Sequence, residues 1–154
     1  MKRVLFICCL VVMIGCKSKK PKEKAPEVIK TTKVSTAEIN AVQKTKAYDL
    51  GKRVLMTCNT SKFKPFNSSE ATESVIQNTT QDKLTKTCLK FRLKYGDFKD
   101  LQFVEVQQNK ADRTNIYRFK AIYEKKIANK ELRVTMTEDN LVSSIKSLDW
   151  TEKF

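Results

Sequence analysis

The chain has 154 residues, of which 31 are Lys or Arg and 17 are Asp or Glu, so its formal net charge is +14. A chain of this length forms one domain with its own core, and an apolar content of 40% excludes a wholly disordered protein. The sequence contains no histidine, so it lacks the commonest general base, the commonest transition-metal ligand and any catalytic triad built on histidine. These features exclude histidine-based chemistry, and they do not define a biochemical function.

The N-terminal segment has the features of an export signal. Lys2 and Arg3 precede an apolar run over residues 4–15, which is shorter than the roughly 20 residues that a membrane-spanning helix needs. The run ends in Gly15 and Cys16, and this pair resembles the cleavage and lipidation site of a bacterial lipoprotein. The resemblance implies a signal peptide at residues 1–15, lipid with palmitate-type chains on Cys16, and attachment to a bacterial membrane in the cell envelope, facing the periplasm or the exterior. A secretory signal in which Cys16 is incidental is the alternative.

Residues 16–34 are predicted to be a lysine-rich tether. From residue 17 onwards this segment holds seven Lys, two Glu and two Pro, a composition that cannot compensate for the entropy lost on ordering. The tether is either a solvated spacer or a strip that binds anionic lipid headgroups, to which each Lys contributes about 1 kcal/mol. The signal and the tether account for +2 and +5 of the net charge, which leaves +7 for the predicted domain at residues 35–154.

Two helical segments are predicted at the start of this domain. Ser35 and Glu38 form a capping box, in which each side chain binds the backbone N–H of the other residue. The apolar spacing that follows predicts a long helix as far as Cys58. Residues 69–77 are predicted to form a short second helix.

A third helix and then a set of strands complete the prediction. Thr79 or Thr80 caps this helix, and Gly96 ends it, because glycine readily adopts the backbone conformation of a C-terminal cap. After Gly96 the apolar period changes to two, which places Leu101 on one face of a strand and Val106 on the other. Four strands are predicted, at residues 101–108, 115–126, 131–137 and 141–150. This order favours an α+β fold with three N-terminal helical segments packed on a four-stranded antiparallel sheet.

The order of the elements resembles the nuclear transport factor 2-like superfamily, specifically its small exported members. The resemblance is carried by residues 94–99 (KYGDFK), which join the last helix to the sheet, and by a turn at Asp139 and Asn140. It implies a curved sheet wrapped round the long helix as a cone, whose wide end can hold a small ligand, and homodimers through the sheet. The superfamily's isomerases use an Asp base with a Tyr and a protonated Asp. No Asp here matches that pattern, so no catalytic residue is carried over.

Cys58 and Cys88 are candidates for a disulfide. They lie on the apolar faces of two helices that are expected to pack together, and an oxidising compartment permits the bond. Closing this loop would contribute about 3–4 kcal/mol. The alternative is two separate buried thiols that act as small apolar side chains.

The remaining site candidates are aromatic residues that either line a pocket in the cone or simply form its core: Phe91, Tyr95, Tyr117, Phe119, Tyr123 and Trp150. No metal site is predicted, because the cysteines lack zinc-ligand spacing, and no cofactor or nucleic acid is expected. The sequence therefore predicts a lipid-anchored, non-catalytic binding or interaction module, whose partner is an unknown small ligand or an envelope protein. The alternative function is a small-molecule-converting enzyme of the ketosteroid isomerase type.

Overall fold

The computed structural model describes residues 31–154, which form an α+β domain of three α-helices and one five-stranded antiparallel sheet. The predicted α+β class is confirmed. The helices are α1 (Ala41–Thr60), α2 (Glu73–Asn78) and α3 (Gln81–Tyr95). The strands lie in sequence order across the sheet: β1 (Thr32–Lys33), β2 (Phe98–Asn109), β3 (Thr114–Tyr123), β4 (Lys130–Thr137) and β5 (Val142–Asp149). The predicted signal peptide, Cys16 and most of the predicted tether lie outside the described residues.

The sheet has five strands where four were predicted. The additional strand is β1, whose residues Thr32 and Lys33 were assigned to the tether. They pair with Gln108 and Gln107 at the edge of β2. Two residues are too short a run to show the alternation of apolar and polar side chains that predicts a strand.

The start of α1 differs from the prediction. Its N-cap is Asn40, whose side-chain oxygen accepts the backbone N–H of Gln43 at 3.0 Å. Before it, Thr36–Glu38 forms a 3-10 turn, in which the Ser35 hydroxyl donates to the Glu38 carboxylate at 2.6 Å. The predicted capping box is therefore wrong as a helix start, because the two side chains bind each other and not the backbone N–H groups.

The limits of α3 agree with the prediction, and those of α2 do so only in part. The Thr80 side chain accepts the backbone N–H of Lys83, and Gly96 follows the helix with φ +76°. A side chain at Gly96 would also collide, because an added Cβ would lie 2.7 Å from Oε2 of Glu124. α2 begins at Glu73, later than the predicted start of the second helix.

A bulge in β2 changes the predicted orientation of its side chains. Relative to β3, the strand has an extra residue, Val104, between Phe103 and Glu105. The bulge returns Val106 to the face that carries Leu101, and both residues are buried in the core. The prediction that Val106 lies on the opposite face is wrong, because a strict period of two does not allow for an extra residue.

The helices cover one face of the sheet, which we call the inner face, and the core lies between them. Gly51 in α1 permits a close approach to β4, since an added Cβ would lie 2.7 Å from Leu132 Cδ2 and 3.1 Å from Val134 Cγ2. The middle of α1 therefore packs directly on the sheet, and no ligand can fit there. The inner face contributes these buried residues to the core: Leu101, Val106, Tyr117, Phe119, Ala121, Leu132, Val134 and Met136.

Candidate functional site

Six aromatic residues were candidates either for the lining of a pocket or for the core, and the structure places them in separate regions. Phe91, Tyr95 and Tyr123 form a cluster between α3 and β3, with ring centroids 5.5 to 6.5 Å apart. The other three lie apart: Phe119 is buried beside α1, Tyr117 lies near the N-terminus of α1, and Trp150 lies over Arg118 on the face of the sheet away from the helices. These six side chains are therefore not brought together in one cavity.

A small cavity of about 200 Å³ lies between α1, α3 and the sheet. Its lining is mainly apolar and includes Val54, Leu84, Phe91 and Ile145. Sites for small molecules are commonly about 300–1,000 Å³ and present several polar groups that orient the ligand. The cavity therefore fits a gap left by core packing better than a ligand site.

A larger and more polar cleft of about 400 Å³ lies on the inner face near the turn between β2 and β3, and we call it the end cleft. The ends of the first three strands form its floor, and the 3-10 turn with residues 39–40 forms its rim. The polar residues that line it are Thr32, Lys33, Glu38, Asn40, Gln108, Lys110, Asn115 and Tyr117. This cleft is the candidate ligand site of the described domain.

Gln43 fixes the wall of the end cleft. Its side chain is buried, and its Nε2 donates to the Thr137 carbonyl and to Oδ1 of Asn140, each at 3.0 Å. Its Oε1 accepts from Nδ2 of Asn115 at 2.9 Å and from the Tyr117 hydroxyl at 2.8 Å. These bonds use both donors and both lone pairs of the amide. Burial raises the pKa of Tyr117 to about 12, and its hydroxyl, like that of any tyrosine at neutral pH, is a protonated donor.

The charged groups of the end cleft lie at its rim. Glu38 and Lys110 are exposed, whereas the Lys33 ammonium binds Glu105 at 3.0 Å on the opposite face of the sheet and is directed away from the cleft. Glu38 is the one carboxylate among the described residues that line the cleft. A general base is usually adjusted to its task by burial or by close charged neighbours, whereas Glu38 lies in solvent. The cleft can therefore bind polar groups, but it does not present a buried acid or base.

The opposite, outer face of the sheet carries a second polar group of residues, which we call the outer-face cluster. Arg118 is fully buried, and its guanidinium donates to Glu131 through Nε at 2.6 Å and to Glu105 through Nη1 at 3.2 Å. Glu131 is also fully buried and accepts from Nε of Arg133 at 2.5 Å. Two arginines and two glutamates thus neutralise one another, and Arg118 and Glu131 at the centre of the group are shielded from water.

Residues 150–154 provide this cover. The Trp150 ring centroid lies 4.3 Å from the guanidinium carbon of Arg118, and the Thr151 carbonyl oxygen accepts from Nη2 of the same residue. The Phe154 ring lies 4.1 Å from the guanidinium carbon of Arg133. The predicted homodimer through the sheet would therefore meet residues 150–154 on this face and not bare strands.

Cys58 of α1 and Cys88 of α3 form a disulfide, with an S–S distance of 2.07 Å and a Cα–Cα distance of 4.6 Å. α3 has two buried residues, Cys88 and Tyr95. The cross-link joins α1 to a helix that packs on the core through Leu84, Phe91 and Tyr95.

Comparison with protein-family models, with curated proteins and with solved structures finds no match to this chain. Within residues 31–154, no three His, Cys, Asp or Glu side chains are grouped so that they could hold a metal ion. No helix in the same part of the chain combines the length and the apolar composition needed to cross a membrane. The function is therefore inferred from the sequence and from the geometry of this domain.

Gln43 beside the end cleft and Arg118 in the outer-face cluster were not identified from the sequence. Gln43 precedes Ala47, Leu50 and Val54 at the spacing of the apolar stripe of α1. A polar residue at a core position is the signal that could have identified it. Arg118 carried no such signal, because a charged residue that alternates with apolar ones in a strand is expected to face water.

Proposed function

We propose that this protein is a lipid-anchored, non-catalytic binding module of the cell envelope, and that the end cleft is its ligand site. The contrast between the end cleft and the cavity between helices and sheet carries this proposal. The space between helices and sheet is apolar and small, and α1 closes on the sheet at Gly51. The end cleft has about 400 Å³ and a polar lining, which is within the usual range for sites that bind small molecules.

The lining of the end cleft defines the class of ligand. Lys110 supplies a positive charge at the rim, and Gln108 is an exposed amide on the floor. Tyr117 and Asn115 are held by Gln43 and form a wall of fixed shape, so they restrict the outline of the ligand. A small polar molecule with an anionic group beside Lys110 and a hydroxyl or amide group beside Gln108 fits this arrangement.

The proposal includes the fold and the anchor predicted from the sequence. We infer the cone fold of the nuclear transport factor 2-like superfamily, supported by the long α1 against the inner face of an antiparallel sheet and by helices that precede the long strands. Gly15 and Cys16, after a short apolar run, support a lipid on Cys16. The domain then faces the periplasm or the exterior at the end of its tether.

Labelled palmitate tests the anchor. The full chain expressed in a bacterium should incorporate the label, and the Cys16→Ala variant should incorporate none. Intact-mass measurement on the purified chain should give the mass of a product that begins at residue 16 and carries lipid. Incorporation that persists in Cys16→Ala would overturn the proposed site of attachment.

A thermal-shift screen tests the end cleft. The screen uses small carboxylates, phosphate esters and sugar acids, and the proposal expects at least one to stabilise the wild-type chain in a saturable way. Lys110→Ala should weaken that ligand about tenfold, as expected from the loss of one charge-assisted hydrogen bond. The matched control is Lys62→Ala, which removes an exposed lysine outside the cleft. No stabilisation by the panel, or equal weakening in both variants, would contradict the assignment.

A further inference from the structure

The side of α3 that faces away from the core is both apolar and basic. Leu89 and Leu93 lie one turn apart and are 65% and 71% exposed. Core contacts do not explain them, because Cys88 and Tyr95 are the residues that α3 buries. Of the 15 residues of this helix, five are basic and one is acidic: Lys83, Lys86, Lys90, Arg92 and Lys94 against Asp82.

The turn between β3 and β4 extends this surface. Nζ of Lys125 donates to the Leu93 carbonyl oxygen at 3.0 Å, which places the turn beside the C-terminal part of α3. The same turn carries Lys126, which is exposed, and Ile127, which is 72% exposed. We use the name α3 face for the exposed apolar residues and the lysines around them: Leu89, Leu93, Ile127, Lys86, Lys90 and Lys126.

We propose that the α3 face binds the surface of a membrane that contains anionic phospholipids. Apolar side chains on a basic helix face enter the boundary between headgroups and acyl chains, while the surrounding lysines lie at the phosphates. Leu89 and Leu93 correspond to the first group, and Lys86 and Lys90 correspond to the second. The charge of the α3 face is complementary to an anionic bilayer surface. A nucleic acid would match the charge but would leave the leucines exposed.

The proposed anchor makes this contact possible, and the inference rests on it. Thr32 lies 16 positions after Cys16, so the distance between them is at most about 55 Å. A domain of this size has a diameter of about 35 Å, so the tether lets any side of the domain reach the bilayer. The lipid alone therefore does not set the orientation of the domain. A weak contact between the α3 face and the bilayer is enough to set the orientation, because the tether keeps the local concentration of the bilayer surface high.

Lysine labelling of the full chain in vesicles tests this contact. The chain is reconstituted in phosphatidylcholine vesicles with and without phosphatidylglycerol, acetylated briefly, and analysed by mass spectrometry of its peptides. Acetylation of Lys86 and Lys90 should slow about fivefold in the anionic vesicles, the effect expected for one lysine at such a surface. High salt should reverse this protection, because it screens the charges. Lys110, at the end cleft, is the internal control and should react equally in both vesicles.

Paired variants separate the contribution of the leucines to membrane binding from that of the lysines. Leu89→Ser with Leu93→Ser, and separately Lys86→Glu with Lys90→Glu, should abolish the protection of the α3 lysines that remain. Their controls are Val42→Ser, which removes a side chain that is 73% exposed on α1, and Lys146→Glu with Lys153→Glu, two exposed positions outside the end cleft, which changes the net charge equally. Equal labelling in both vesicles would overturn the proposal. Protection that rises with the ratio of protein to lipid would overturn it in favour of contact between copies of the chain.

Intact-mass measurement of the same preparation distinguishes this proposal from that of the anchor. A chain without lipid on Cys16 contradicts the anchor and leaves the α3 face testable by sedimentation with the two kinds of vesicle. In that assay the wild-type chain should bind the anionic vesicles more strongly than the Lys86→Glu and Lys90→Glu variant does. Equal binding of the two chains would overturn the α3 contact, whatever the state of Cys16.

Discussion

The Tyr117 hydroxyl donates a hydrogen bond of 2.8 Å to Oε1 of Gln43, which lies 74 positions earlier in the sequence. Tyr117 lies in the central strand β3, and Gln43 lies in the first turn of α1. Both side chains are buried. This bond and its neighbours therefore fix the N-terminal end of α1 on the sheet, beside the end cleft.

We expect Gln43→Leu to lower the free energy of unfolding by about 2–4 kcal/mol, because it leaves buried partners of the amide without hydrogen bonds. Urea denaturation measures the change. Gln77→Leu, at an exposed position of α2, is the matched control and should change the stability by less than about 0.5 kcal/mol. Adding Tyr117→Phe to Gln43→Leu should cost less than the sum of the single changes. Equal effects of Gln43→Leu and Gln77→Leu would show that the network contributes nothing.

The outer-face cluster should be sensitive to the loss of a single charge. Arg118→Gln leaves the buried Glu131 without its main partner, and we expect a loss of about 3–5 kcal/mol in the free energy of unfolding. The exposed ion pair of Arg92 with Asp97 is the comparison, since Arg92→Gln should cost at most about 1 kcal/mol. Changing Arg118 and Glu131 together to leucine should recover part of the loss. A larger loss in this double variant than in Arg118→Gln would contradict the electrostatic explanation.

Asp100 should titrate well below an ordinary carboxyl group. Hydrogen bonds from the Tyr48 hydroxyl at 2.5 Å and from Lys52 at 2.9 Å lower the pKa of Asp100 from 3.8 to about 2. Because the folded state binds this proton less readily than the unfolded state, its contribution to stability is complete above pH 3.8 and is lost as the pH falls towards 2. Carbon-13 NMR of the carboxyl group should give this midpoint, and Tyr48→Phe should raise it. A midpoint near 3.8 that Tyr48→Phe leaves unchanged would refute the assignment.

Cys58 and Cys88 should resist alkylation in the denatured protein until a reductant is added. Mass spectrometry of the peptides that contain them checks this, and two alkylated cysteines before reduction would exclude the bond. Replacing both by alanine should lower the free energy of unfolding by about 3–4 kcal/mol, because the link restricts the unfolded chain. Replacing one alone should give the same loss within error.

The elements with local signals could be predicted from the sequence. Gly96 ends α3 because the positive φ and the nearby Glu124 both require glycine there, and this residue type marks such positions in sequences. The long strands β3 and β4 show a clear period of two. The start of α1 was misplaced because Ser35 and Glu38 satisfy the capping pattern but form a separate turn.

Features that depend on tertiary contacts could not be predicted. Val104 forms a bulge only because β2 and β3 pair with an extra residue on one side. Trp150 was assigned to the cone, but the register of the last strand gave no indication of its face, and it lies over Arg118 on the outer face. The end cleft includes Thr32, a residue of the edge strand that had been assigned to the tether.

The disulfide between α1 and α3 makes the firm attachment of α3 depend on the oxidation of Cys58 and Cys88. α3 buries Cys88 and Tyr95 and packs Leu84 and Phe91 partly against the core, so the disulfide adds a covalent link to a limited apolar contact. Under reducing conditions we expect α3 to open locally more often than α1 and the sheet do. The surface that α3 displays is thereby coupled to the redox state of its surroundings, and it is held most firmly where thiols are oxidised.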